Sequence, residues 1–231
     1  MTVLRVTAHM LAPIASVEEV HLDSLLTAAH PDVRGRHVTR AHDAGDLHHP
    51  RLPVARLTVG GAWCLLSSTW QIPEGARFGR ETFTKRRDAS DVYHLAQPFT
   101  PSSGPGKNYQ LPVMTVETPS VSWLVVGDRR GVRELLRYVR HVGAVRRQGY
   151  GRVLEWQVER ADDLDPLRVL VDEQGRAARF LPQAWTSYAD ALDTGAVVPP
   201  YWHPGLAVPR VRPGVRVELL DEVREAVSRC R

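Results

Sequence analysis

The sequence predicts an α+β fold, and three observations carry the prediction. Residues 3–10 alternate, with Leu4, Val6, Ala8 and Met10 on one face and Val3, Arg5, Thr7 and His9 on the other, as a half-buried strand does. Residues 128–142 place Val132, Leu135, Leu136, Val139 and Val142 at helical spacing, opposite Arg130, Arg133, Arg137 and Arg140. Residues 153–159 alternate again, Leu154, Trp156 and Val158 against Glu155, Gln157 and Glu159.

The remaining elements follow in order. Pro13 ends the first strand, and Leu22, Leu25, Leu26 and Ala29 give a short amphipathic helix over 21–29. Residues 30–53 are polar and rich in Pro and Gly, and are expected to be mostly loop. Residues 54–71 read as strand, a turn at Gly60-Gly61, and strand. Residues 77–91 are basic and aromatic, and 98–106 form a Pro/Gly/Ser loop. Strands resume at 111–117 and 120–127, and the turn at Thr118-Pro119 suggests that they form a hairpin. Asp128 is a candidate N-cap for the arginine-faced helix. The order β-α-(inserted β material)-β-β-α-β describes a ferredoxin-like (RRM-type) sandwich. We therefore expect a domain at 1–160, with a basic insert of β and loop at about 72–110. A β-rich C-terminal extension at 161–231 is expected to pack on it. That extension has a small hairpin around Glu173-Gln174-Gly175, a proline-extended stretch at 199–205, and a short helix at 221–230.

With 231 residues and 43% hydrophobic content, the chain can bury a full core. The formal charge is +4 and the sequence pI about 9.4, which favours an anionic partner. Lys85 and Lys107 are its two lysines, so nearly all the positive charge is arginine. A GC-rich genome accounts for part of that bias, and the distribution is more informative than the total. Between Arg129 and Arg152 stand eight arginines and one acid, Glu134. Cys64 and Cys230 lie far apart with no metal-ligand spacing, as expected of a reducing, cytoplasmic setting. No apolar run approaches the length of a membrane span and no signal peptide opens the chain.

Gly143, Arg146, Arg147, Gly149, Tyr150, Gly151 and Arg152 form the most distinctive local pattern. Glycines let a backbone approach a phosphate chain, and arginines supply bidentate, charge-assisted contacts. Nucleotide-binding turns place such glycines after a strand and before a helix. Here the helix comes first, so its electronegative end faces the loop. That order speaks against an ATPase or dehydrogenase and for a surface that grips a nucleic-acid backbone. A plain helix cap would explain Gly143 alone. The second candidate is the interleaved run with Arg77, Phe78, Arg80, Phe83, Lys85, Arg86 and Arg87, where rings stack on bases and cations follow phosphates. The alternative there is a solvated loop anchored by its phenylalanines.

The histidines have no metal-ligand pattern. His21, His30, His37 and His42 read as surface or loop residues, and adjacent His48 and His49 point apart. A single histidine would suffice as general base for cleavage by a ribose 2′-OH. The acid pairs Asp162-Asp163 and Asp172-Glu173 fall at turns, and no GxSxG signature is present.

The run apolar-Gly-x5-Gly-aromatic-Gly, here Val142-Gly143 to Gly149-Tyr150-Gly151, resembles the glycine-rich loop of the RAMP superfamily of CRISPR-associated proteins. Many such loops begin Gly-apolar-Gly, and here His141 stands at the first position. Leu22-Asp23-Ser24-Leu25-Leu26 and Pro200-Tyr201-Trp202 look like the RAMP subunit of type IV CRISPR systems, similar to the family that caps the 5′ handle of the guide RNA. The resemblance covers about residues 3–160, with weaker hints beyond. It implies a non-catalytic RNA-binding subunit with no cofactor and no metal, in which the basic aromatic insert at 77–91 sits where such subunits carry a thumb-like projection over the RNA. Its partners would be the guide RNA, a repeated backbone RAMP subunit and a large subunit, with target nucleic acid met indirectly and no membrane. Two alternatives stay open. One is a metal-independent endoribonuclease using His48 or His49, since some relatives cut precursor RNA. The other is a protein scaffold without RNA contact.

Overall fold

The computed structural model describes residues 1–16, 19–33, 49–85 and 109–230. It is an α+β architecture with more strand than helix. In chain order the elements are β1 (Thr2–Met10), β2 (Ile14–Ala15), α1 (Leu22–Ala29), β3 (Arg56–Val59), β4 (Ala62–Leu65), β5 (Arg77–Lys85), β6 (Tyr109–Glu117) and β7 (Ser120–Gly127). Then come α2 (Arg129–Leu136), β8 (Val153–Arg160), β9 (Leu181–Pro182), β10 (Thr186–Ala189), β11 (Asp193–Gly195), β12 (Val208–Val211), β13 (Val217–Leu219) and α3 (Asp221–Ser228).

β1 is the spine. It pairs antiparallel with β7 on one side and β8 on the other, with a bulge between His9 and Met10 that shifts the register to Met10↔Val153. Its alternation does what the sequence suggests: Leu4, Val6 and Ala8 are fully buried against Leu22, Leu26, Val132, Leu135 and Leu136 from α1 and α2. The opposite face, through Val3, Leu124 and Val126, packs on Val169, Leu170, Phe180, Leu181, Trp185 and Val223 from the C-terminal third.

Four expectations need correction. First, residues 111–127 are not one hairpin. Both edges of β7 are occupied, by β1 and by residues 66–71, which bond antiparallel to it through Ser68 N to Leu124 O (2.8 Å) and Gln71 N to Ser122 O (2.7 Å). The Pro119 carbonyl is taken by Met10 N at 2.9 Å. β6 therefore pairs with β5, in register from Arg77↔Glu117 to Lys85↔Tyr109, and with β2. Second, the arginine-faced helix stops at Leu136, six residues short of Val142. The last turn tightens through Tyr138 N to Leu135 O and Val139 N to Leu136 O. The next carbonyls turn toward β8: Trp156 Nε1 donates to Val139 O at 2.7 Å and Val153 N to Arg140 O at 2.9 Å.

Third, the small hairpin expected around Glu173-Gln174-Gly175, with strands at 168–171 and 177–181, is reduced to one bridge, Val171↔Ala177, because residues 166–169 form a 3-10 turn capped by Asp165. Fourth, His21 is not a surface histidine. It is 2% exposed and stacks between Phe180 (4.9 Å) and Tyr201 (4.3 Å).

His21 adjoins a buried polar node. Arg179 and Asp23 are both fully buried, with Arg179 Nη2 3.4 Å from Asp23 Oδ2. The Tyr201 hydroxyl donates to Asp23 at 2.9 Å and accepts from Arg179 at 3.1 Å. Arg179 also donates to the carbonyls of Leu65, Ser67 (2.9 Å), Val197 (2.8 Å) and Phe180 (3.1 Å). A buried charge is tolerated only when paired and bonded in this way. Burial pushes the Asp23 carboxyl upward, against the pull of the Arg179 guanidinium and the Tyr201 hydroxyl. The node ties α1 to the C-terminal third of the chain.

Candidate nucleic-acid interface

The glycine loop is held by a two-residue strand. The loop amide of Gly151 donates to Pro13 O at 2.7 Å, and Ala144 N donates to Ala15 O at 2.6 Å. The loop closes on itself through Val142 N to Gly151 O at 2.8 Å. Gly151 takes φ +65°, and a Cβ there would run into the Val142 carbonyl; Gly143 takes φ +85° with its Cα facing the Ala15 carbonyl. These two glycines are therefore needed for packing of the loop backbone. Gly149, at φ +91°, faces open space. Between them Arg146–Gln148 makes one 3-10 turn, entered through Val145 at φ 53°.

The amides of Ala144, Gln148, Gly149 and Gly151 are all spent inside the protein. The side chains of Arg146, Arg147 and Arg152 are all exposed.

The same two-residue strand carries β6 on its other side, through Ile14↔Val116 and Ala15↔Thr115. Loop, β2, β6 and β5 thus form one continuous backbone layer. A side chain closes the arrangement: the Tyr150 hydroxyl donates a short hydrogen bond to the Glu81 carboxylate on β5. That bond, reinforced by partial burial and the carboxylate's charge, pushes the Tyr150 phenol above its ordinary range. The two candidate regions, 69 residues apart in the chain at this contact, are joined.

On β5, Arg77 and Arg80 are both exposed but, three residues apart in a strand, point to opposite faces; Phe78, 70% exposed, shares the face of Arg80, and Glu81 that of Arg77. Lys85 ends the strand opposite Tyr109. Arg86 and Arg87 lie outside the described residues, as do the loop at 98–106, His37, His42 and His48. Among the described residues, none of Arg77, Arg80, Arg146, Arg147 and Arg152 is paired with a carboxylate. Exposed, unpaired guanidiniums are available to phosphates.

His49 lies edge-on to Trp63 at 5.3 Å. Among the described residues, no group of His, Cys, Asp and Glu is arranged to hold a metal ion, and no helix is long and apolar enough to cross a membrane. The sequence reading missed the Tyr150–Glu81 link and the role of residues 13–15. Pro13 read as a strand terminator, and two apolar residues after it carry no periodic signal.

No curated protein matches the chain. Residues 94–209, half of its length, match the family of CRISPR type IV associated protein Csf3, and the chain belongs to that family, as a component of a type IV CRISPR complex.

Proposed function

We propose that this chain is the non-catalytic RNA-binding subunit of a cytoplasmic type IV CRISPR ribonucleoprotein, gripping the 5′ end of the guide RNA. Arg146, Arg147 and Arg152 of the glycine loop contact the terminal phosphates, with Gly143, Gly149 and Gly151 setting the loop's path. Arg77, Arg80, Lys85, Arg86 and Arg87 of the basic thumb also hold the strand. The observation that carries this reading is the Tyr150–Glu81 hydrogen bond, because it joins the loop to β5 with unpaired arginines on both. In this reading Tyr150 buttresses the interface, since its hydroxyl is engaged.

The scaffold is a ferredoxin-like sandwich of RAMP type, residues 1–160, with the 161–231 extension packed on it. Three features support that assignment: the antiparallel order β7-β1-β8, residues 66–71 beside β7, and two helices on one face. Membership of a type IV complex component family makes a repeated backbone subunit and a large subunit the natural protein partners, with target nucleic acid reached through the guide.

The test is co-expression with the neighbouring genes, followed by sequencing of the RNA that co-purifies. We expect RNAs of uniform 5′ end, with crosslinks in residues 77–91 and 143–152. In binding assays Arg146→Ala/Arg147→Ala should weaken RNA binding and reduce its salt slope by about 1.4, at about 0.7 per phosphate contact. Heterogeneous RNA, or a double variant that binds like the wild type, would overturn the loop assignment.

A further inference from the structure

Beside the glycine loop, and apart from the β5–β6 pair, α2 and β8 enclose a groove of about 920 Å3. Arg129, Arg130, Arg133, Arg137, Arg140 and Arg160 line it. Three carboxylates also do, and two of them are engaged. Asp128 Oδ2 accepts the Gly131 amide at 2.7 Å as the helix cap, and Glu134 faces Arg137 at 3.7 Å. Glu155 is the third. Among the described residues, Arg130, Arg133, Arg140 and Arg160 have no ion-pair partner.

This arrangement opposes helix stability. Arg129 and Arg133, Arg130 and Arg133, and Arg133 and Arg137 stand three or four residues apart, where like charges repel. An eight-residue helix gains little from propensity to offset that. Arg129 is held in place, its Nε donating to Val158 O at 3.0 Å. The floor is apolar, with half-buried Trp156 and exposed Leu154. Guanidiniums, one of them held in place, beside an aromatic ring suit a polyanion whose bases have a face to rest on.

The groove's position is equally informative. Arg140 and Val153 close one end of it, and they are bonded to each other at the base of the glycine loop, next to the His141↔Arg152 bridge. From there the arginines continue along α2, about 12 Å for its eight residues at the helical rise. We infer that the α2–β8 groove is a second phosphodiester track, holding single-stranded RNA that continues from the strand end gripped by the glycine loop. The ligand class rests on the RNA-binding reading above, whereas the groove, its charge and its continuity with the loop stand by themselves.

The test uses the full chain and two fluorescent oligouridylates, of about six and about 24 nucleotides, with Kd measured against salt. The short probe fills the loop site and the long one reaches the groove. Arg133→Gln/Arg140→Gln/Arg160→Gln should weaken the long probe tenfold or more and lower its salt slope by about 2, at about 0.7 per phosphate. Its affinity for the short probe should change less than about twofold. The lysine triple variant, which keeps the charge, should retain the slope, separating charge loss from misfolding. If the glutamine variant matches the wild type on both probes, the groove is not a track. If only the groove variant loses affinity and Arg146→Ala/Arg147→Ala loses none, the loop assignment fails and the groove stands. If polyglutamate displaces the long probe as well as unlabelled RNA does, and only when the groove arginines are present, the groove is a seat for an acidic protein segment and the inference is overturned.

Discussion

Arg179 and the loop arginines are the same residue put to opposite uses. Arg179 is sealed from water, with five carbonyl or hydroxyl partners and a carboxylate arranged around its guanidinium. Arg146 and Arg147 are exposed, and among the described residues neither meets a carboxylate. The first side chain is satisfied entirely by the protein, and the second pair is left for something else. Composition gives both the same weight, and only the surroundings separate a structural cation from one available to a ligand.

The largest effect should come from breaking the buried side of that comparison. Arg179→Met leaves Asp23 buried without its counter-charge, and removal of one partner of a buried pair costs about 3–5 kcal/mol. Urea unfolding should show the loss, and Asp23→Asn added to it should recover a large part. Arg146→Ala/Arg147→Ala should stay within about 0.5 kcal/mol of the wild type. Equal losses at the two sites would erase the distinction.

The glycines repeat the contrast on a smaller scale. Gly151→Ala must place a Cβ against the Val142 carbonyl in a left-handed backbone, and we expect a loss of about 3 kcal/mol, the upper end for a strained position. Gly149→Ala has the same backbone sign but open space around it, so about 1 kcal/mol is expected. Thermal unfolding of both variants checks the order.

His21 sharpens the buried side through pH. Burial, with Arg179 and Arg210 nearby, holds its pKa well below the ordinary value, and neither ring nitrogen has a hydrogen-bond partner among the described residues. The folded state therefore keeps it neutral, while the unfolded chain takes up a proton below about pH 6.5. The unfolded state binds more protons, so stability falls as pH falls, by up to about 1.4 kcal/mol per unit from this residue. His21→Phe should retain the stack on Phe180 and Tyr201 and remove that slope. A slope unchanged in the variant would assign it to other groups.

How much of this was legible in the sequence depends on the range of the interaction. β1, β8 and the Asp128 cap were readable because alternation and capping are local. The partner of β6 was not, because strand pairing depends on which edges remain free, and β7 had none. Arg179 was passed over because it follows a turn, where charge is expected. A signal was present: it sits between Ala177-Ala178 and Phe180-Leu181, an apolar run that a surface hairpin would not need. Asp23 likewise stands beside Leu22 on a buried face. Two opposite charges within apolar runs, far apart in the chain, suggest a buried pair, but the sequence does not say that they meet. In the glycine loop, residue types and spacing picked out the right segment, yet not the reason for its glycines. Gly143 and Gly151 serve packing against residues 13–15 and the loop's own backbone, and four of the loop amides are occupied.

The smallest effects lie where the two candidate regions touch, and they test the exposed side most directly. Tyr150→Phe removes the hydroxyl that reaches Glu81 while keeping the ring. A half-exposed hydrogen bond contributes roughly 1 kcal/mol or less, so the melting temperature should barely move. RNA affinity should fall severalfold, because Arg146 and Arg147 would no longer be held in fixed relation to Arg77 and Arg80. Glu81→Gln should act in the opposite sense. Its amide oxygen still accepts from Tyr150, and a negative charge disappears from a face proposed to meet phosphates, so binding should tighten, most at low salt, and its salt dependence should steepen. Opposite signs from the two partners of one hydrogen bond would mean that Tyr150 positions the interface and Glu81 limits its affinity. Weaker binding in both would show that the carboxylate itself orders the arginines, and no change in either would detach the loop from β5 in function.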